Sequence, residues 1–151
     1  MAATLAVVTL NVNGLRSVDK CARVFRWLHS LPSLPDVVCL QETYCVSREE
    51  CRLWFSATGM FSFVSPGSHH SCGCVVLYCP HLTFVHSSCD NGGRFLLCEF
   101  LFHERFFVLR VFTFPIEVPL ETSFWRRLGI GLTHLSQRFC VGILIWLLTG
   151  V

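Results

Sequence analysis

The first forty residues alternate between apolar strand-like runs and one amphipathic helical segment. Residues Thr4 to Asn11 are almost entirely apolar, which is typical of a strand covered on both faces. Ser17 is placed to cap a helix in which apolar residues recur at helical spacing as far as Leu31. A second short strand is predicted over 36–41. The opening therefore has βαβ-like order, which leaves open whether the two strands are neighbours.

Strand-like segments dominate the middle of the chain. Ser47 and Glu50 form an S-x-x-E capping box, which predicts a short helix to about residue 57. Five strand-like segments follow, and the short Gly-, Pro- or His-containing spacers between them favour antiparallel neighbours. These segments are Phe61–Val64, Gly73–Tyr78, Leu82–Ser87, Phe95–Phe102 and Phe106–Phe114. One more helix is predicted within 119–137. This order predicts an α/β sandwich of mixed, largely antiparallel sheets with outer helices.

Composition fits one apolar globular domain. A length of 151 residues leaves little room for a second domain. Hydrophobic residues make up 52% and charged residues 15%, which excludes intrinsic disorder. The net charge of +2 is too small to identify a polyanionic partner by itself.

Cysteine usage and the N-terminal residues favour an intracellular protein. The segment 1–14 has no basic residue, and Asn11 and Asn13 interrupt its apolar run, so no secretory signal is visible. Several of the ten cysteines lie in apolar segments, where a reduced thiol behaves as a small buried hydrophobe. These are Cys39, Cys74, Cys79, Cys98 and Cys140. Cys72 and Cys74 form a C-x-C without a second pair at zinc-site spacing.

The apolar tail is too short for a transmembrane helix. The unbroken run from Phe139 to Leu148 has ten residues, half of the ~20 that a spanning helix requires. We therefore expect a buried strand and no stable membrane partner. A short tail anchor over 139–149, which would make a small membrane-associated protein, is the alternative.

Two strand ends carry the residues that are best suited to chemistry. Asn11 lies at the carboxyl end of the first predicted strand, and Glu42 follows the second. Ligand sites in α/β sheets collect at such ends because strands position side chains rigidly. Since Mg²⁺ prefers oxygen ligands, Glu42 is the strongest candidate, with Asn11 as a neutral amide ligand. The alternative is a solvated strand-end charge and a turn-forming Asn11 before Gly14.

Four segments in sequence resemble the endonuclease/exonuclease/phosphatase family, and most closely the apurinic-type endonuclease domain of non-LTR retrotransposons. They are TLNVNGL with Asn11, DVVCLQET with Glu42, FSFVSPGSHHSCGCVVLY and GRFLLCEFLFHERFFVLRVF. The resemblance covers roughly residues 4–115. It implies a four-layer α/β sandwich and phosphodiester hydrolysis with Mg²⁺ or Mn²⁺, with DNA as the usual substrate.

The resemblance also implies roles for individual residues. Asn11 and Glu42 match the first two metal-site positions of the family, and Glu42 is the best candidate for a catalytic residue. Arg16, His69 and His70 lie in loops expected to border the same cleft and to contact substrate. For these three, ordinary solvated loop residues are the alternative.

The later motifs of the family are missing. Where the family usually has Tyr-Ala-Pro-Asn, the chain reads Thr113-Phe114-Pro115-Ile116, and neither the Gly-Asp-x-Asn loop nor the final Asp-His pair has a counterpart. Of three aspartates, Asp19 opens a helix, and Asp90 in CDNGG is expected to form a turn. Asp36 begins the strand that Glu42 follows, about 20 Å away at ~3.3 Å per residue. No second catalytic carboxylate is therefore expected.

These departures predict an incomplete four-layer sandwich. Residues 4–115 would form the N-terminal part of the family domain, and residues 116–151 a divergent helix and apolar tail of the same truncated domain. Such a chain is expected to be an inactive fragment of a DNA endonuclease that binds metal weakly. A non-catalytic nucleic-acid or protein-binding module is the alternative. Incomplete cover of the sheets also predicts exposed apolar surface and self-association.

Overall fold

A computed structural model describes residues 5–113 and 141–148 of the chain, and within them lie eight strands and two α-helices. The helices are α1 (Val18–His29) and α2 (Arg48–Phe55). The strands are β1 (Val7–Asn11), β2 (Val37–Gln41), β3 (Phe61–Ser65), β4 (Cys74–Tyr78), β5 (Thr83–Cys89), β6 (Phe95–Phe102), β7 (Arg105–Thr113) and β8 (Val141–Leu148). They form two four-stranded sheets, ordered β1-β2-β4-β3 and β5-β6-β7-β8. The α/β sandwich prediction is confirmed.

Local capping chemistry determines where both helices begin. The Ser17 hydroxyl accepts a hydrogen bond from the Lys20 N–H at 3.5 Å, and the Ser47 hydroxyl accepts one from the Glu50 N–H at 3.1 Å. The Glu50 carboxylate reaches back to the Val46 N–H at 3.1 Å and completes a capping box. Gly59, at φ 71°, ends the 3-10 turn that follows α2.

Both helices cover one face of the first sheet. Leu28 of α1 and Phe55 of α2 are buried in a cluster with Leu40 of β2 and Leu77 of β4. The second core lies between the sheets, because alternate residues of each strand point to opposite faces. Its members include Val37, Cys39, Val76, Leu96, Cys98, Phe100, Phe107 and Leu109. The described residues therefore form three layers, and the outer helix predicted within 119–137 lies outside them.

The first sheet combines parallel and antiparallel pairs. β1 and β2 are parallel neighbours, with Asn11 opposite Gln41, so the βαβ order of the sequence corresponds to adjacent strands. β2 and β4 are antiparallel, as are β3 and β4. All three pairs in the second sheet are antiparallel as well.

The prediction that short spacers join antiparallel neighbours is wrong for β4 and β5. Only Cys79, Pro80, His81 and Leu82 separate these strands, yet they belong to different sheets. Both edges of β4 already pair with β2 and β3, so no edge of β4 remains for β5. The spacer instead carries the chain from one sheet to the other.

The cysteines are mostly buried free thiols, as predicted. Cys39, Cys74, Cys79 and Cys98 are buried and free, whereas Cys140 lies outside the described residues. Burial raises the pKa of Cys74 and of Cys98 to about 12. The reduced state expected for core cysteines does not extend to Cys45 and Cys51, which form a disulfide. The capping loop of α2 folds back and places Cys45 beside the first turn of that helix.

The apolar tail forms a strand, as its composition predicts. β8 pairs with β7, and Thr113 lies opposite Val141 while Phe106 lies opposite Leu148. Among the described residues, no helix is long and apolar enough to cross a membrane. Several large apolar side chains are exposed, including Phe61 at 55% and Phe106 at 48%.

Candidate active site

The carboxyl ends of β1 and β2 bring Asn11 and Glu42 to one edge of the first sheet. Asn11 is the last residue of β1 and lies opposite Gln41, the last residue of β2. Glu42 follows directly. Since neighbouring strands run roughly 4.8 Å apart, the two candidate ligands occupy adjacent strand ends, although 31 positions separate them in sequence.

The loop after β1 is held against the loop after β2. The Asn11 Oδ1 accepts a hydrogen bond from the Asn13 N–H at 3.0 Å, so Asn11 also forms the turn that its position suggests. The Gly14 N–H donates to the Glu42 carbonyl oxygen at 2.6 Å, and a Cβ on Gly14 would lie 2.6 Å from the Tyr44 ring. Burial and the Glu42 carboxylate raise the pKa of Tyr44, whose hydroxyl donates to Asn13 Oδ1 at 2.7 Å.

Glu42 itself is half-buried, and one oxygen of its carboxylate forms a hydrogen bond with the main chain. Its Oε2 accepts a hydrogen bond from the Cys72 N–H at 3.0 Å, while Oε1 has no protein partner within the described part of the chain. Glu42 also has φ 54°, and Asn13, Tyr44 and Cys72 share this left-handed conformation at the same edge. Such conformations cost about 1–2 kcal/mol each in non-glycine residues and are concentrated at functional sites.

Gly73 allows the loop after β3 to pack directly on Glu42 and its neighbours. Gly73 has φ 92°, and a Cβ at this position would lie 2.6 Å from the Thr43 hydroxyl oxygen. Its carbonyl oxygen accepts from the Thr43 N–H at 3.0 Å, and its own N–H donates to Gly93 at 2.9 Å. The site edge is therefore held by main-chain hydrogen bonds that connect the two sheets.

Gln41 is a polar residue of the site that sequence reasoning overlooked. It is fully buried, and its Nε2 donates to the Thr9 hydroxyl at 3.0 Å. Its Oε1 is buried without a hydrogen-bond partner among the described residues. A buried acceptor left unsatisfied costs about 1–3 kcal/mol, so this oxygen marks a position suited to a donor or a cation. The only sequence signal is its place beside Glu42 in Q-E-T.

The three candidate substrate-binding residues have different surroundings. Arg16 pairs with Glu50 at 3.0 Å, so its guanidinium group is held by α2. His69 and His70 are exposed, with ring centroids 6.4 Å apart, and no contact joins either ring to Glu42. They precede Cys72, whose N–H binds Glu42, so the structure brings their loop to the candidate site.

Asp36 and Asp90 are both engaged in contacts away from Glu42. Asp36 lies just before β2, at the end of that strand opposite to Glu42. Its carboxylate accepts a hydrogen bond from the Ala6 N–H at 2.7 Å and pairs with His81 at 2.8 Å. Asp90 is the turn residue that its sequence predicts. Burial alone would raise the pKa of Asp90, but hydrogen bonds from the Phe95 N–H, the Ser65 hydroxyl and two further N–H groups outweigh it and lower the pKa.

The carboxyl end of β8 lies away from the candidate site. The end of β7 that carries Thr113 contacts the loop of Gly93, because the Thr113 hydroxyl donates a hydrogen bond to the Gly93 carbonyl oxygen at 3.2 Å. Leu148 pairs with Phe106 at the other end of β7. Within 5–113 and 141–148, no group of three or more His, Cys, Asp or Glu residues is arranged to hold a metal ion.

Comparison with known families agrees with this architecture. The model of the Endonuclease/Exonuclease/phosphatase family matches residues 8–137, which is most of the chain. The chain belongs to the endonuclease/exonuclease/phosphatase family. The match begins in β1 and continues beyond residue 115 into the segment of the predicted third helix. No curated protein matches the chain.

Membership of the endonuclease/exonuclease/phosphatase family gives the site its general chemistry. The family comprises phosphodiester hydrolases of nuclease type and generally uses divalent metal ions. Glu42 and Asn11 carry oxygen atoms, the ligand type that Mg²⁺ prefers, and Gln41, whose Oε1 is unsatisfied within the described residues, lies opposite Asn11 and directly before Glu42.

Proposed function

We propose that the chain is a metal-binding relative of retrotransposon apurinic-type endonucleases that holds a DNA phosphodiester but cleaves it close to the background rate. The observation that carries this proposal is the position of Asn11 and Glu42 on adjacent parallel strand ends, while the carboxylates of Asp36 and Asp90 are engaged in other contacts. Mg²⁺ or Mn²⁺ is the proposed cofactor and DNA the proposed partner.

Glu42 and Asn11 would hold the metal ion. Glu42 offers a carboxylate oxygen without a protein partner in the described structure, and its other oxygen fixes the side chain on the Cys72 N–H. Asn11 is fixed by its own turn. When bound, the ion would supply Lewis-acid stabilisation of the phosphate. The protein's own contribution is to position the ion and the phosphate on rigid strand ends.

We expect slow cleavage because, within the described residues, neither Asp36 nor Asp90 has a free carboxylate beside Glu42 that could deprotonate the attacking water. The carboxylate of Asp90 is already bound by four donors, and Asp36 lies at the far end of β2. A positioned general acid or base contributes about 10²–10⁴-fold to the rate. We further propose that residues 116–151, in which nothing after Glu121 is acidic, do not supply the later ligands of the family.

Manganese binding and plasmid nicking test the two halves of the proposal separately. We expect the protein to bind Mn²⁺, measured by loss of the free-ion electron paramagnetic resonance signal, and Glu42→Ala to abolish that binding. Glu49→Ala is the matched control, since Glu49 is an exposed acid on α2. Equal Mn²⁺ binding by wild type and Glu42→Ala would contradict the metal site.

Supercoiled plasmid incubated with Mg²⁺ or Mn²⁺ reports cleavage. We expect wild type and Glu42→Ala to nick the plasmid at the same low rate. A metal-dependent nicking rate in wild type that Glu42→Ala removes would contradict the proposed inactivity while supporting the metal site.

A DNA-binding module without catalysis is the second candidate. It is favoured by His69 and His70, which are exposed on the loop between β3 and β4 and form no ion pair with a carboxylate within the described residues. DNA affinity that falls steeply with salt, without cleavage, would support this function. Affinity that does not change with salt would argue against phosphate contacts. We also propose an intracellular location and self-association through the exposed apolar side chains.

A further inference from the structure

A cavity lies on the side of the sandwich, between α2 and the edge strands β3 and β5. It has a volume of about 270 Å³. We call it the side pocket, and its walls consist of basic, hydroxyl-bearing, thiol and apolar residues. They are Arg48, Arg52, Ser62, Phe63, Val64, Ser87, Ser88, Cys89 and Leu96. Neither Asn11 nor Glu42 lines it, so the side pocket is separate from the candidate active site.

Two arginines of the side pocket share one face of α2 without a carboxylate partner. Arg48 and Arg52 are four positions apart, and like charges at this spacing destabilise a helix by about 0.2–0.5 kcal/mol. No Asp or Glu lines the pocket, and within the described residues neither arginine forms an ion pair. In the described part of the chain, the Arg48 side chain donates a hydrogen bond to the Cys89 sulfur alone, at 3.7 Å. Arg16, by contrast, is neutralised by Glu50.

The remaining walls suit an oxyanion. Serines line the pocket from two different strands, Ser62 on β3 and Ser87 and Ser88 on β5, and since side chains alternate along a strand, one of the two β5 serines faces the cavity. Guanidinium groups match the planar, bidentate geometry of phosphate oxygens. The volume is below the ~300 Å³ at which small-molecule pockets usually begin, so it suits one phosphate group with a small substituent rather than a whole nucleotide.

We propose that the side pocket binds a phosphate group, held by Arg48 and Arg52 and oriented by serine hydroxyl groups of the pocket wall. The phosphate would come from inorganic phosphate or a small phosphomonoester, or from the backbone of bound nucleic acid. Binding would also remove the repulsion between the two arginines. The site requires no metal ion, so it does not depend on the proposed function of Glu42.

Alkylation of Cys89 provides a direct test, because Cys89 is a half-buried free thiol in the pocket wall. The full chain is treated with iodoacetamide and EDTA in phosphate or in chloride of equal ionic strength, and labelled peptides are quantified by mass spectrometry. With a Kd of about 1 mM, ten-millimolar phosphate would slow Cys89 alkylation about tenfold. Cys72, the other half-buried free thiol among the described residues, is the internal control and should react equally in both salts.

Substitution of the second arginine identifies the source of the protection. Arg52→Gln keeps most of the side-chain length but removes the charge, and we expect it to abolish protection of Cys89 by phosphate. Arg23→Gln on α1, an exposed arginine outside the pocket, should retain full protection. Equal protection in wild type and Arg52→Gln would overturn the proposal. If Arg52→Gln does not fold, the comparison of phosphate with chloride in wild type still decides.

Two ligands distinguish the sources of the phosphate. Protection of Cys89 by inorganic phosphate alone would assign the pocket to a small phosphate compound. Protection by a short DNA duplex but not by phosphate ion would assign it to the nucleic-acid backbone. Absence of protection by either would refute a phosphate site.

Discussion

Substitutions of Glu42 separate its structural contribution from its proposed metal-binding role. The side chain accepts one hydrogen bond, from the Cys72 N–H at 3.0 Å, and a bond to a charged acceptor contributes about 1.5–3 kcal/mol when buried. Because Glu42 is only half-buried, we expect about 1–2 kcal/mol from this bond. Glu42→Ala removes it. Glu42→Gln keeps an acceptor without the charge and should lose about half as much.

Backbone strain adds a third variant to the series. Glu42 has φ 54°, and alanine at this position would keep the same strain, so Glu42→Ala reports the hydrogen bond alone. Glycine adopts a left-handed conformation at no steric cost, which offsets about 1 kcal/mol of the lost bond. We therefore expect Glu42→Gly to unfold at a higher temperature than Glu42→Ala.

Thermal unfolding followed by circular dichroism measures these differences. In EDTA, Glu42→Ala should melt lower than wild type by about 2–8 °C, since 1 kcal/mol shifts Tm by about 2–4 °C in chains of this length. Addition of Mn²⁺ at ten times its Kd should stabilise wild type by about 1.4 kcal/mol. Neither Glu42→Ala nor Glu42→Gln should respond to Mn²⁺, because both lack the carboxylate.

Two results would refute this reasoning. If Glu42→Gln keeps the Mn²⁺-dependent rise in Tm, the carboxylate is not a metal ligand. If Glu42→Ala and wild type have the same Tm in EDTA, the hydrogen bond to the Cys72 N–H contributes nothing to stability. Glu49→Ala, on the exposed face of α2, should behave as wild type in both conditions.

Three further predictions concern the scaffold. Gly73→Ala should lower the free energy of unfolding, measured in urea, by about 2–4 kcal/mol. Gly59→Ala is the control, because its Cβ would meet nothing within 4 Å, and it should lose only the backbone cost of about 1 kcal/mol. Equal losses in the two variants would contradict the steric argument. The lowered pKa of Asp90 means that its bonds stabilise the fold above the unfolded pKa of about 3.9, and this contribution is lost as pH falls through the folded value. Asp90→Asn should therefore be less stable than wild type at pH 7, and the difference in the free energy of unfolding should narrow as the pH is lowered below about 3.9. Burial raises the pKa of Cys74 and Cys98 to about 12, so both thiols should resist Ellman's reagent at pH 8 until urea unfolds the chain. Rapid reaction of either thiol in the native protein would contradict its burial.

Features that depend on neighbouring residues were predictable from the sequence. Ser17 and Ser47 begin their helices as predicted, because a capping hydroxyl bonds to an N–H only three residues away. The strands followed from apolar runs interrupted by turn residues. Asp90 was identified as a turn residue from CDNGG, and its bonds to residues 92–95 are equally local.

Features that depend on tertiary contacts were not predictable in this way. The change of sheet at Pro80 follows from β4 being paired on both sides, which no local pattern records. Arg16 was expected at the cleft, but its partner Glu50 lies 34 positions away. The unsatisfied oxygen of Gln41 is visible only once β1 is placed beside β2. Asn11 and Glu42 were proposed as partners because family resemblance supplied the long-range information.

The main-chain hydrogen bonds that join Gly14 to Glu42, Thr43 to Gly73, and Gly73 to Gly93 have an evolutionary consequence. Peptide groups are the same in every residue, so as long as Gly14, Gly73 and Gly93 are kept, this edge can hold its shape when other side chains change. Natural selection can then act on chemistry and on foldability almost independently. A lineage that loses its reactive acids one by one would still inherit a stable protein, and an ancestral architecture can persist long after the reaction that shaped it has ended.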